Sequence, residues 1–291
     1  MSPATTEPDT LADVLHALGD VPLHRIIWRN LGTATEEDQL DLCGRKLRVE
    51  LVDGVLVHKG VSREVLDEVL ASVAPGVETL ADVHDRLGNV PLDRILWTPR
   101  PGTATEEDVI RYVDREPKRL VELVDGILVE KPMGNREALF AMTFGIILGG
   151  HVRAHNLGIV AAPDAIVRMR SGRRRLPDIY FTPWERLPSR RAHLGRVANY
   201  PIDLAVEILS ESNTRAEMAS KRREYFGSGT LLVWEINPVS ESVAVYQAPD
   251  DPDAYRTLTR ADTLDGGTVL PGFTLPLHEL FDDPQLNDRP E

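Results

Sequence analysis

The pattern of apolar and polar positions is most informative at residues 201–236. Residues 204–209 form an apolar run broken by one carboxylate, Glu207. A short run of branched aliphatics predicts a strand buried on both faces. Residues 214–226 follow as a helix, opened by the capping-box spacing Thr214-x-x-Glu217 and closed by Gly227 and Gly229. Residues 231–236, 242–247, 255–259 and 268–270 read as strands, and 277–281 as a short helix. Upstream, Leu139, Met142, Phe144, Ile147 and Val152 recur at helical spacing over 135–156, with Gly158 as the stop. Strands are expected at 159–162, 165–169 and 176–181, the last carrying Pro177-Asp178, before an arginine- and proline-rich loop at 182–200.

The first half is dominated by an internal repeat. The blocks Gly-Thr-Ala-Thr-Glu-Glu-Asp and Val-Glu-Leu-Val-Asp-Gly occur within 11–59 and again, identically, within 80–131. Two copies make a duplication rather than a solenoid, which stacks three or more. Each copy reads as a short helix, a Pro-Leu-x-Arg-Ile connector, a second helix and a hairpin turning on Asp-Gly. Thr103 or Thr105 can cap the second helix, and carboxylates in its first turn favour the helix dipole. A hairpin with one helix is marginal alone, so the first copy is expected to need a partner surface. Residues 1–78 are assigned as an accessory segment, 79–284 as the main domain and 285–291 as a frayed tail.

Composition changes this picture little. The hydrophobic share of 42% and charged share of 27% suit a chain that buries a sizeable core. The single cysteine, Cys43, excludes an internal disulfide and a cysteine zinc site and is compatible with a cytoplasmic location. The longest apolar stretch, 138–150, is too short for a membrane span, and the first residues lack a signal-peptide pattern. The net charge of −13 argues against a general nucleic-acid coat. Yet Arg168, Arg170, Arg173, Arg174, Arg175, Arg186, Arg190, Arg191 and Arg196 crowd one segment, which reads either as a grip on a polyanion or as a solvated loop offsetting acidic neighbours.

An ionised carboxylate inside a buried strand is costly unless a cation compensates it. Glu207 therefore points to chemistry, and Asp178 and Lys221 complete a sensible set. Two neighbouring carboxylates are tolerated when a divalent cation such as Mg²⁺ lies between them. A lysine beside them can neutralise charge developing on phosphorus. Such a set would hydrolyse a phosphodiester. The plainer readings are that Asp178 ends a turn, that Glu207 pairs with an arginine, and that Lys221 pairs with Glu217 on a helix surface. Trp234 and Tyr225 read as core.

Residues 121–130 (Val-Glu-Leu-Val-Asp-Gly-Ile-Leu-Val-Glu), Pro177-Asp178-Ile179, Val206-Glu207-Ile208-Leu209-Ser210, Lys221-x-x-Glu224-Tyr225 and Val233-Trp234-Glu235-Ile236-Asn237-Pro238 stand in a particular order and spacing. In these the chain resembles the Uma-type putative restriction endonuclease family of the PD-(D/E)xK nuclease superfamily, over roughly residues 100–282. The resemblance implies an α/β (α+β) fold, a restriction-endonuclease-like core with a mixed β-sheet flanked by helices, here with a duplicated N-terminal helix-hairpin segment. It implies a metal-dependent DNA endonuclease using Mg²⁺ or Mn²⁺, with Asp178 and Glu207 as metal carboxylates and Glu122 as an additional acid. The superfamily lysine usually lies two residues after the second acid, where this chain has Leu209. The resemblance moves that role to Lys221 on the following helix. Glu122 and its repeat counterpart Glu50 read more plainly as exposed hairpin charges. Arg170, Arg173, Arg174 and Arg175 are the candidate nucleic-acid contacts, and the repeat is a candidate homodimer surface. Family members carry a histidine where this chain has Asn135, and the nearest histidines, His151 and His155, lie deep in the helix. The rival reading is a catalytically inactive nuclease-fold module acting in nucleic-acid binding or protein assembly.

Overall fold

Alternation of side chains along two parallel strands decides what each face of the main sheet does. The computed structural model describes residues 8–188, 195–247, 251–283 and 286. The tail 285–291, Leu286 excepted, the first seven residues, and Arg190 and Arg191 lie outside the described residues. The chain forms two compact units. One comprises the described residues up to Ala104 with Gly126–Val129, the other Thr105–Asp125 with the described residues from Glu130 onward.

In the first unit, α1 (Leu11–Ala17) is capped by Thr10, whose hydroxyl accepts from the Asp13 amide while Asp13 reaches back to the Thr10 amide. β1 (Ile26–Ile27) is followed by α2 (Glu36–Gly44), with the same reciprocal cap between Thr35 and Asp38. β2 (Val49–Val52) and β3 (Val55–His58) form the expected hairpin, with Asp53 and Gly54 at φ +48° and +77°. Both central residues left-handed is the demand of a type I′ turn, which Asp-Gly meets. α3 (Arg63–Val73) and α4 (Leu80–Arg86) follow. The hairpin is not left bare. β1 joins it in the order β1-β3-β2, and Ile27, Leu42, Leu56, Leu66 and Leu70 form a core of the unit's own.

The second unit opens with α5 (Glu106–Asp114), capped by Thr105 rather than Thr103. β4 (Val121–Val124) is followed in the chain by β5 (Ile127–Glu130), of which Ile127–Val129 belong to the first unit. Then come α6 (Asn135–Ala154), β6 (Gly158–Ala161), β7 (Ile166–Arg168), β8 (Arg174–Arg175), β9 (Ile179–Pro183), β10 (Val197–Ala198) and β11 (Leu204–Ile208). α7 (Arg215–Gly227), β12 (Leu232–Asn237), β13 (Ser242–Tyr246), β14 (Arg256–Thr259), β15 (Thr263–Asp265), β16 (Thr274–Pro276) and α8 (Leu277–Phe281) complete it. The main sheet runs β14-β13-β12-β11-β9-β6. β11 and β12 are parallel, Leu204 opposite Leu232 through Ile208 opposite Ile236, and α7 is the crossover that a parallel pair requires. A second sheet runs β10-β7-β8-β4 within this unit. No helix of the described residues is long and apolar enough to cross a membrane.

Leu204, Val206 and Ile208 of β11, with Leu232, Trp234 and Ile236 of β12, pack with Phe140, Phe144 and Leu148 of α6. The alternate residues Ala205 and Val233 pack with Tyr225 and Phe226 of α7. Glu207 and Glu235, next in that alternation, occupy the α7 side, and the two are register partners. Consecutive residues of α7 answer them, Lys221 lying 3.6 Å from Glu207 and Arg222 2.7 Å from Glu235.

Three expectations are corrected locally. The strand at 268–270 is absent; β15 and β16 pair instead. The left-handed residue ending α6 is Asn156 (φ +51°), not Gly158. Gly158 opens β6, where a Cβ would run into the Thr182 carbonyl oxygen. The strand expected at 176–181 begins only at Ile179, leaving Pro177-Asp178 as a connector.

Phe144 is fully buried, edge-on to Trp234 at 5.8 Å and to Phe273 at 6.4 Å. Phe144→Ala is expected to destabilise the protein by about 3–5 kcal/mol in denaturant unfolding. A loss under about 1 kcal/mol would show that α6 is not anchored through this contact.

Candidate active site

The candidate residues arrive on separate elements and meet in one buried cluster. Asp178 follows Pro177 at the mouth of β9. The β9–β11 ladder ends at Val206 opposite Ile179, and the next free amide, Ile208 N–H, donates to Asp178 Oδ2 at 2.7 Å. The turn residue thus extends the ladder with its side chain. Glu207, the penultimate residue of β11, accepts from the Tyr225 hydroxyl of α7 at 2.5 Å through Oε1. Lys221, one turn before Tyr225, places Nζ 3.6 Å from Glu207 Oε2 and 3.1 Å from Glu122 Oε1.

Glu122 is not an exposed hairpin charge; it is 1% exposed. It accepts from the Leu176 amide at 3.1 Å and from Arg175 at 2.7 Å. Nor is Lys221 a surface partner of Glu217, for its ammonium is buried between Glu122 and Glu207. Tyr225 is core, as expected, and is also a hydrogen-bond donor to the site.

Sequence reasoning missed Lys131. It directly follows β5, next to Glu130 at the edge of an apolar run. Its ammonium lies 2.9 Å from Asp178 Oδ1 and 3.9 Å from Glu207 Oε2, and it donates to the Leu176 carbonyl. Glu224 is a second omission. It pairs with Arg175 at 2.7 Å and also with Arg173. Each buried carboxylate (Glu122, Asp178, Glu207, Glu224) therefore faces a cation from the set Lys131, Lys221, Arg173 and Arg175.

The electrostatics split the acids. Burial opposes ionisation of Glu122, but Lys221, Arg175 and Lys131 outweigh it and hold the carboxyl well below its usual range. Burial dominates at Glu207 and pushes its pKa up, with Lys221 and Lys131 offsetting only part of the rise. Burial also works against the Lys221 ammonium, but Glu122, Glu207 and Glu217 prevail and raise its pKa. Lys221 is thus a fixed positive charge.

Of the arginines expected to meet phosphate, Arg175 is buried against Glu122 and Glu224 and is not available to it. Arg173 pairs with Asp125 at 2.6 Å and with Glu224, and Arg174 with Glu106. Arg168 and Arg186 also bind carboxylates, those of Glu106 and Asp203. Arg170 is exposed, and with Arg173 and Arg223 it lines a cleft of about 340 Å³ that reaches the cluster at Glu224. Asn135 opens α6 and is exposed, while His151 Nε2 donates to the Pro271 carbonyl, near Phe273 and outside the cluster.

Glu224 yields a test. Burial raises its pKa, but Arg175 and Arg173 more than reverse this, so its folded pKa is lowered. A lowered folded pKa contributes stability above the unfolded value, about 4.3, which is lost as pH falls through the folded value. Glu224→Gln is expected to melt lower than wild type at pH 7, with the gap narrowing below about pH 4. A gap that stays constant down to pH 2 would contradict the ionised pairing.

Comparison with known proteins places the chain in a family. Residues 106–278 match the model of the Uma2 family, described as putative restriction endonuclease. No curated protein matches the chain. A solved structure described as a putative nuclease belonging to DUF820, from Anabaena variabilis ATCC 29413, is similar with a TM-score of 0.53 and 18% identity, covering 63% of this chain and 99% of that one. The fold is shared, and the family match spans more than half of the sequence: the chain belongs to the Uma2 family of putative restriction endonucleases, a nuclease-type family.

Proposed function

We propose that the protein is a metal-dependent endonuclease that hydrolyses phosphodiesters in DNA, with Asp178, Glu207 and Lys221 as its working residues. The observation that carries this reading is the convergence of Asp178 Oδ1 and Glu207 Oε2 on one shared cation, the Lys131 ammonium. Two carboxylates that already share a cation suit Mg²⁺ or Mn²⁺, since Mg²⁺ takes one or two carboxylates and keeps several waters. Asp178 and Glu207 would hold the ion, with Glu122 behind Lys221. When bound, the ion supplies a more acidic water and neutralises charge on the phosphate.

The chain's own residues set the frame. The Ile208 amide fixes one oxygen of Asp178 and the Tyr225 hydroxyl fixes one oxygen of Glu207, so each acid offers its other oxygen. Lys221, held charged by Glu122 and Glu207, serves as an electrostatic partner for phosphate rather than as a proton acceptor. Glu122 keeps that ammonium in place. Arg170 and Arg223 are the cations best placed in the cleft at Glu224 to meet a nucleic-acid backbone.

A second reading has its own observation. Asp178, Glu207, Glu122 and Lys221 are each no more than 3% exposed, and each is paired within the chain. A closed, charge-matched cluster also suits an inactive nuclease-fold module that binds nucleic acid or assembles with protein. Incubation of supercoiled plasmid with Mg²⁺ or Mn²⁺ separates the two. The nuclease reading expects nicking that falls by about 100-fold or more in Glu207→Gln, a variant that keeps a hydrogen-bonding partner for Tyr225. No cleavage of any DNA form, together with no metal-dependent thermal shift, would leave the binding module.

A further inference from the structure

We infer that Lys131 is a built-in competitor for the divalent cation, so that metal enters the site only as the Lys131 ammonium leaves it. The inference rests on the nuclease reading above and adds a control over metal loading to it. The oxygens left to a metal are those that accept no hydrogen bond. Asp178 Oδ2 accepts from the Ile208 amide, and Glu207 Oε1 from the Tyr225 hydroxyl. The remaining oxygens, Asp178 Oδ1 and Glu207 Oε2, are the two that approach Lys131 Nζ, at 2.9 and 3.9 Å. The ammonium thus occupies the position a cation shared by these acids would take.

Charge leads to the same conclusion. With Lys131 in place the carboxylates are already matched by Lys131, Lys221, Arg173 and Arg175. A divalent ion added beside a retained ammonium would meet strong like-charge repulsion in a site where burial weakens screening. Exchange of one for the other avoids this. Lys131 has the means to leave. It stands after the end of β5 and before the start of α6, on a connector ending in exposed Gly134, and a four-carbon stem carries its charge. Its third contact, the Leu176 carbonyl, is a single neutral acceptor.

Lys131 differs in role from Lys221. Lys221 also approaches Glu207 Oε2, at 3.6 Å, but its nearest carboxylate is Glu122, at 3.1 Å, and it makes no pair with Asp178, so it can keep Glu122 when an ion enters. Lys131 is held through the two acids themselves, so its affinity for the site and the metal's are opposed.

The test is Mn²⁺ binding to the full chain, read by the loss of the free-ion paramagnetic resonance signal and by thermal melting. Wild type, Lys131→Gln, Lys131→Arg and the double variant Asp178→Asn/Lys131→Gln are compared. Without metal, K131Q is expected to melt below wild type because the two acids lose their cation. Saturating Mn²⁺ should restore its Tm, with an apparent Kd at least about tenfold below that of wild type. K131R keeps the charge and should stay weak, and the double variant should lose the gain. If wild type binds Mn²⁺ and K131Q binds it no more tightly, the competitor role is overturned while the metal site stands. If K131Q and the double variant gain equally, the ion lies elsewhere and the inference fails. If neither wild type nor K131Q takes up Mn²⁺, the nuclease reading fails and this inference with it. Should K131Q not fold, wild type alone decides the matter. Reductive methylation of Lys131, followed by mass spectrometry, should be slow without metal and faster with saturating Mg²⁺. An unchanged rate at saturation would overturn the proposal.

Discussion

Compensation of the Glu207 carboxylate inside a fully buried strand is the interaction on which the site depends. A carboxylate at that depth costs several kcal/mol unless cations and hydrogen bonds meet it. Three groups from two segments meet it. α7 supplies the Tyr225 hydroxyl and the Lys221 ammonium, and the segment after β5 supplies Lys131. Asp178 and Glu122 are drawn in because those ammonium groups need counter-charges of their own. The parallel pairing of β11 and β12 requires a crossover, and the crossover is the helix that carries Lys221. The connection that makes the sheet possible thereby places the cation over the acid.

The same logic extends one strand further. Arg222 answers Glu235 on β12 as Lys221 answers Glu207 on β11, and Tyr246 lies 3.3 Å from Glu235 as Tyr225 lies against Glu207. Neighbouring acids in register carry similar arrangements, each a glutamate between a helix cation and a tyrosine. Beside Glu207 a second carboxylate, Asp178, shares the Lys131 ammonium with it, whereas the further carboxylate near Glu235, the half-exposed Asp253, meets the other end of Arg222. In the proposed reading, that addition is what distinguishes the Glu207 cluster from a buried salt bridge.

Much of this was legible in the sequence, for physical reasons. The strands β11 and β12, helix α7 with its Thr214 cap and helix α8 follow from strong periodicity and clear stop signals. Glu207 was conspicuous because a lone charge in an apolar run demands compensation. Glu122 and Lys131 were not conspicuous, and the repeat shows why. The first copy carries Glu50 and Lys59 at matching positions in near-identical sequence, and there they form a 3.4 Å pair about half exposed to solvent. In the second copy the corresponding residues are buried beside β8 and β11. The local sequence is the same, and only the strands supplied from far along the chain differ. The arginines misled in the opposite direction. Their number suggested a phosphate-binding surface, whereas Arg168, Arg173, Arg174 and Arg175 are matched to carboxylates that sit 48 or more residues away in sequence.

The central claim is that Asp178 and Glu207 converge on a single cation site. Crystals of the full chain soaked in Mn²⁺ and measured at an anomalous wavelength test it most directly. The account predicts one anomalous peak bridging Asp178 Oδ1 and Glu207 Oε2, with the Lys131 side chain withdrawn from that point. A map with no peak there, and with Lys131 still bridging the two acids at saturating Mn²⁺, would contradict it.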